Sequence, residues 1–174
     1  MNPMVAIIAP YPELRREAEA VVAELGANVH VLEGNLNEGV AAARLAIQEG
    51  AEVIISRGGT AMLISQSVDI PVVEIEVSPF DIIRCLMKFK DYRGPIGVIG
   101  FPNFVYGCES IGKTLEIELE RIIIESREEA LDKMAAAAQR GIRLLIGGVA
   151  SIHEAAKFNL KGVLVTSGQE ALVR

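Results

Sequence analysis

Short runs of aliphatic and β-branched residues alternate along the chain with longer stretches of helical periodicity. Each apolar run ends in Gly, Pro, Ser or Asn, which is typical of buried parallel strands joined by crossover helices. The pattern predicts eight strands, at residues 5–9, 28–32, 52–56, 72–75, 96–100, 118–124, 142–146 and 163–166. This number of strands favours an α/β protein with two sheets.

Two of the predicted helices begin with the spacing of a capping box. In that motif, a cap side chain and a carboxylate three residues later each accept the other's free backbone N–H. Asn35 with Glu38 and Ser126 with Glu129 have this spacing. We therefore predict that each pair caps the helix that follows it.

The two halves of the sequence resemble each other. Residues 50–61 (GAEVIISRGGTA) and 141–150 (GIRLLIGGVA) both read as a helix stop, a buried strand and a glycine pair that opens a helix. We expect a first lobe at 1–78, a second lobe at 79–167 that includes a crossing helix at 79–90, and a C-terminal helix at 168–174 able to pack back on the first lobe. Parallel sheets bind ligands beyond the carboxyl ends of their strands, so two facing lobes predict a cleft.

Charge and hydropathy exclude several classes of function. Seventeen basic and 23 acidic residues give a net charge of -6, without the dense basic cluster that direct nucleic-acid contact requires. The sequence shows neither an uncharged apolar run of 18 residues nor a basic leader before an apolar run, so we expect a cytoplasmic domain without membrane contact. Because the chain stops inside the helix predicted at 168–174, we expect it to be part of a longer protein.

The sequence offers little support for an enzyme. His30 and His153 fall in different predicted lobes and lack neighbours that would complete a metal cage or a triad. The only cysteines, Cys85 and Cys108, do not form a CxxC pair and are interpreted as structural thiols. Neither a dinucleotide-binding nor a nucleotide-phosphate-binding glycine motif occurs, so no cofactor is expected.

The strongest candidate site is the turn after the third predicted strand. Two glycines let successive N–H groups converge on one point, and the following helix adds partial positive charge there. An arginine adds a planar donor suited to a carboxylate or phosphate, flanked by two hydroxyls. The sequence therefore predicts a small-anion site formed by Ser56, Arg57, Gly58, Gly59 and Thr60.

Further contacts are predicted at other strand ends. Ser78 has the features of a helix cap, and a cap alone and a cap that also binds ligand are equally supported. Glu74, a carboxylate in an apolar strand, is expected to pair with Arg57 or another cation. The remaining candidates are the Phe80 N–H, the N–H groups at Gly147, Gly148 and Val149, apolar walls from Phe101 and Phe104, and the Asn103 amide.

One enzymatic alternative is a two-lobed racemase that uses a cysteine from each lobe as acid and base. Two cysteines are present, which fits. However, Cys85 falls inside a predicted helix, and Cys108 lacks the Thr or Asn neighbour that is typical of such sites. This alternative is therefore the weaker one.

The motifs also resemble those of a known family. The sequence is similar to the N-terminal sensory domain of the propionate catabolism activators, sigma-54-dependent transcription regulators of the NtrC type. The resemblance covers nearly the whole chain. It is carried by SRGGTA at 56–61, IPVVEI at 70–75, SPFDI at 78–82, GVIGF at 97–101, Gly147-Gly148 and SGQE at 167–170.

The resemblance implies two Rossmann-like lobes, similar to flavodoxin or to periplasmic binding proteins, that bind a small carboxylate such as 2-methylcitrate between them. It also implies a downstream AAA+ ATPase domain and a DNA-binding domain, which would carry ATP and DNA binding in the parent protein. Our first hypothesis is thus a ligand-sensing regulatory domain, which we expect to be a homodimer. The alternative is a dimerisation or interaction module without a ligand.

Overall fold

The computed structural model describes residues 4–173, apart from the side chains of Asn103, Arg127 and Ala150. The chain divides into two compact units. The first unit contains the residues up to Glu76 together with the stretch from Ser167 onward, and the second unit is Val77–Thr166.

The first unit is a parallel four-stranded sheet with strand order β2-β1-β3-β4. Its helices connect successive strands, and a single 3-10 turn follows when the chain returns. The elements are β1 (Val5–Ala9), α1 (Pro12–Leu25), β2 (Val29–Glu33), α2 (Asn37–Gln48), β3 (Val53–Arg57), α3 (Gly58–Ser65), β4 (Val72–Ile75) and the 3-10 turn Gln169–Ala171.

The second unit repeats this arrangement, with the parallel strand order β6-β5-β7-β8. It begins with a helix that precedes the first strand. The elements are α4 (Pro79–Met87), β5 (Ile96–Gly100), α5 (Pro102–Val105), α6 (Cys108–Leu115), β6 (Leu119–Ile123), α7 (Arg127–Gln139), β7 (Leu144–Gly147), α8 (Val149–Ile152), the 3-10 turn Ala155–Phe158 and β8 (Lys161–Leu164). The predicted α/β class with two parallel sheets is confirmed.

The cores explain why the strands read as almost continuous apolar runs. In the first unit, Ile8 and Ile54 from the central strands pack with Ile64 of α3. In the second unit, Val98 and Ile99 are consecutive but belong to separate buried clusters. Successive side chains of a strand point to opposite faces, so each central strand buries both of its faces against helices.

The two predicted capping boxes turn out differently. Ser126 accepts the Glu129 N–H at 3.2 Å, as predicted, but the Glu129 carboxylate accepts the Glu125 N–H. The prediction for Asn35 was wrong, because α2 begins at Asn37 without a side-chain cap among the described residues. The reason is a preceding turn in which Leu36 takes a positive φ of 50°.

The helix predicted at 168–174 is only the short 3-10 turn Gln169–Ala171 within the described residues, and Arg174 lies outside them. None of the helices described by the structure is long and apolar enough to cross a membrane.

Candidate functional site

The predicted anion turn lies where the two central strands of the first unit end. β1 and β3 are neighbours, and the chain leaves β1 toward an edge strand on one side and β3 toward the edge strand on the other. In open parallel sheets, such a change of direction separates the loops at the carboxyl ends and leaves a crevice where ligands bind. Arg57 is the last residue of β3 and is only 4% exposed.

Backbone geometry makes the start of α3 a suitable place for an anion. Gly58 takes a φ of 56°, and a Cβ built there would meet nothing within 4 Å. The N-cap residue of this helix, Arg57, makes no side-chain cap hydrogen bond to it. The N–H groups of the first helical turn have no partner within a helix, so they and the helix dipole favour a negative group from elsewhere.

Tyr11, which the sequence analysis did not identify, lies against Arg57. The guanidinium carbon is 5.6 Å from the centroid of the Tyr11 ring, within the range of a cation–π contact. The Tyr11 hydroxyl accepts the backbone N–H of Ser167 at 3.1 Å. Tyr11 follows β1 as Arg57 ends β3, so the pairing of these strands is the signal that would have indicated it.

The two predicted hydroxyls are engaged within the first unit. Ser56 donates to the Ile8 carbonyl at 2.7 Å and so ties β3 to β1. Thr60 Oγ1 accepts the Leu36 N–H at 3.0 Å and lies 3.4 Å from the Asn35 side-chain oxygen. Both hydroxyls therefore hold neighbouring segments in place around Arg57.

Glu74 adds a carboxylate of the protein itself to this region. Although Glu74 occupies an exposed position of β4, partial desolvation raises the pKa of its carboxyl group, and the nearby charge of Glu76 acts in the same direction. The Gly58 N–H and the positive charge of Arg57 oppose the rise but do not cancel it. Of the predicted pairing of Glu74 with Arg57 or another cation, the structure shows an electrostatic interaction with Arg57, and the net balance disfavours the ionised form of Glu74.

In the second unit, the start of α4 is closed by its own side chains. Ser78 Oγ accepts the Asp81 N–H at 3.3 Å, and the Asp81 carboxylate accepts the Ser78 N–H at 2.9 Å. Arg84 also donates to Asp81, at 3.1 Å. The predicted cap is present, and the adjacent Phe80 side chain is 61% exposed.

The other predicted contacts of the second unit lie at the ends of β5 and β7, which pair side by side. Phe101 and Phe104 are half-buried and pack against the two core clusters. A Cβ on Gly147 would lie 2.6 Å from the Ile99 carbonyl, so this glycine allows close packing. Gly148 precedes the short helix α8, in which Val149 is first; the Asn103 side chain lies outside the described residues.

The cysteines do not form a two-lobed acid–base pair. Cys85 and Cys108 both lie in the second unit and pack in the same buried cluster. Burial raises the pKa of each thiol. A catalytic thiolate needs the opposite shift, so the racemase alternative loses its structural basis.

Comparison with known proteins agrees with the fold and the motifs. Residues 23–174 match the model of a family described as "Propionate catabolism activator". An NtrC family transcriptional regulator from Clostridium acetobutylicum has a crystal structure similar to this chain, with a TM-score of 0.85 and 24% identity over 100% of this chain and 92% of that one.

A second solved structure is more distant. The ABC domain in complex with L-Trp from Streptococcus pneumonia has a TM-score of 0.50 and 11% identity over 99% of this chain and 77% of that one. At these identities, both structural similarities concern the α/β fold.

Proposed function

We propose, since the chain belongs to the propionate catabolism activator family, that it is the sensory domain of a sigma-54-dependent transcription activator. A regulatory role follows from the family. The identity of the ligand and the mechanism by which the signal is transmitted are also proposals.

We propose that the ligand is a small carboxylate of the 2-methylcitrate class. The observation that carries this proposal is the buried Arg57 at the start of α3, a helix whose N-cap residue makes no side-chain cap hydrogen bond. A guanidinium recognises a carboxylate through two parallel hydrogen bonds, and the first N–H groups of a helix add further donors. The N–H groups of Gly59 and Thr60 are the proposed backbone partners.

We propose that ligand binding favours one conformation of the domain over another. A downstream AAA+ ATPase domain would respond to this shift. A ligand shifts such an equilibrium only by its difference in affinity for the two states. We further propose a homodimer. This is supported by β4, an edge strand of the first sheet, on which Val73 is 50% exposed, because edge strands pair readily with a second chain.

The test is a titration of the chain with 2-methylcitrate, citrate, a dicarboxylate and a phosphate ester, followed by thermal shift and calorimetry. We expect 2-methylcitrate or citrate to raise the melting temperature. Replacing Arg57 with Ala should weaken binding about tenfold or more, because a hydrogen bond to a charged group contributes about 1.5–3 kcal/mol. Arg44→Ala, at an exposed position of α2, is the matched control.

The alternative function, a dimerisation module, makes a different prediction for the same variant. It expects neither a ligand response from the parent chain nor any change in Arg57→Ala. A response that is lost in Arg57→Ala while the oligomeric state stays the same supports sensing.

A further inference from the structure

The chain returns to the first unit at Ser167, where it is hydrogen-bonded to Tyr11. The Tyr11 hydroxyl accepts the Ser167 N–H, while the ring of the same tyrosine lies against the Arg57 guanidinium. Tyr11 is itself buried, with 5% exposure. One rigid side chain thus contacts both the proposed anion-binding residue and the returning segment.

Ser167 also carries a buried polar atom that the described residues leave unsatisfied. The residue is 6% exposed, and its Oγ has no hydrogen-bond partner among the residues that the structure describes. Buried hydroxyls in native proteins nearly always have a partner, because burial without one costs free energy. The Ser167 backbone bonds to Tyr11, and Tyr11 contacts Arg57, so a ligand at Arg57 would explain the unsatisfied hydroxyl by supplying its partner.

We propose that Ser167 is a ligand-binding residue of the Arg57 site, and that Tyr11 positions both Ser167 and Arg57. The inference rests on the proposed function, because it takes the ligand carboxylate to lie at Arg57. Ionised carboxylates have about four lone-pair positions, so one group accepts two bonds from a guanidinium and a third from a hydroxyl. The contact with the Tyr11 ring, 5.6 Å from the guanidinium carbon to the ring centroid, restrains the position of the Arg57 side chain.

Ligand binding at this site should restrain the backbone of residues 167–173. A carboxylate bonded to both Arg57 and Ser167 fastens residues 167–173 to the first unit. The hydrogen bond from its N–H to the Tyr11 hydroxyl links Ser167 to the rest of the unit. Ligand should therefore slow hydrogen exchange in this segment.

The test uses Ser167→Ala and Tyr11→Phe in the 174-residue chain, with 2-methylcitrate, citrate and inorganic phosphate as probes. Calorimetry measures affinity, and hydrogen exchange measures the protection of residues 167–173. Ser167→Ala should weaken binding of the best probe about tenfold, the effect of one charge-assisted hydrogen bond. It should also raise the melting temperature of the ligand-free chain, because it removes an unsatisfied buried hydroxyl.

Tyr11→Phe keeps the ring but loses the acceptor, so the Ser167 amide should exchange faster even without ligand. Ser65→Ala is the matched control, since the Ser65 hydroxyl donates to the Met62 carbonyl one turn earlier, on an exposed part of α3. It should change neither the affinity nor the exchange of 167–173.

The outcomes separate this inference from the function on which it rests. If the parent chain binds a probe and Ser167→Ala binds it equally well, the ligand role of Ser167 is overturned while the sensing function stands. Unchanged exchange of the Ser167 amide in Tyr11→Phe overturns the positioning role of Tyr11. If the parent chain binds none of the probes, both the proposed function and the ligand role of Ser167 fail.

Discussion

Ser56 on β3 pairs in register with Glu74 on β4, and this pairing brings a carboxylate of the protein to the start of α3. The Gly58 N–H and the Arg57 charge favour its ionised form, but burial and Glu76 prevail and raise the pKa of Glu74. The region proposed for an anionic ligand thus contains a carboxyl group of the protein itself. In its ionised form, Glu74 should oppose the binding of a second negative group.

Replacing Glu74 with Gln should therefore strengthen carboxylate binding. Two charges about 4 Å apart with the full screening of bulk water repel by about 1 kcal/mol, which corresponds to a roughly fivefold gain in affinity for 2-methylcitrate at pH 7.5. The measurement is calorimetry of parent and variant. Glu24→Gln, at an exposed position of α1, removes the same charge far along the chain and serves as control.

The same substitution should reveal a pH dependence. Because the pKa of Glu74 is raised in the folded chain, its ionised form destabilises the fold at neutral pH, and this effect vanishes below the ordinary carboxyl range. Glu74→Gln should be more stable than the parent chain at pH 7.5 and equally stable at low pH. A ratio of affinities that stays constant as the pH falls would argue against an ionised Glu74 beside the ligand.

The caps of α4 and α7 provide a matched pair of variants. Ser78 and Ser126 each accept the N–H of the third residue of their helix. Ser78→Ala and Ser126→Ala should both destabilise the second unit by about 1 kcal/mol in urea unfolding. If Ser78 also binds ligand, only Ser78→Ala should lower the affinity for 2-methylcitrate; equal affinities would leave Ser78 as a cap alone.

The two glycines at the end of β7 differ in how closely other atoms approach them. A Cβ on Gly147 would lie 2.6 Å from the Ile99 carbonyl, whereas a Cβ on Gly148 would meet nothing within 4 Å. Gly147→Ala should cost about 1–3 kcal/mol of stability, as overpacking of a filled core does. Gly148→Ala should unfold at the same urea concentration as the parent chain, and an equal loss in both variants would contradict this account.

The thiols should be unreactive in the folded chain. Cys85 and Cys108 are buried, and burial raises the pKa of both. Because alkylating reagents attack the thiolate, iodoacetamide at pH 8 should label neither cysteine until denaturant is added. Rapid labelling of either thiol in the native chain, followed by mass spectrometry, would contradict the buried assignment.

The sequence predicted the fold well because the signals for parallel strands are local. Three of the predicted strands have the observed bounds, 5–9, 72–75 and 96–100, and the others shift by only a few residues. Glycine pairs and apolar runs specify such strands without reference to distant residues. The family motifs are equally local, which is why the family could be identified from short stretches.

The contacts that surround Arg57 could not be predicted in the same way. The Thr60 hydroxyl hydrogen-bonds to the Leu36 N–H and to the Asn35 side chain. These bonds are present in place of the capping box expected at Asn35. Tyr11 reaches Arg57 through the pairing of β1 with β3, and reaches Ser167 across 156 positions of sequence. Such partners depend on tertiary geometry, so no spacing within the sequence indicates them.

The division of the chain also bears on the order in which it folds. The second unit is continuous, from Val77 to Thr166, whereas the first unit is assembled from the beginning of the chain and its last residues. During synthesis, the hydrogen bond from the Ser167 N–H to the Tyr11 hydroxyl therefore cannot form until the whole second unit has been synthesised. Cutting the chain after Thr166 should leave the second unit intact and the first incomplete, because the Tyr11 hydroxyl would then lack the Ser167 N–H.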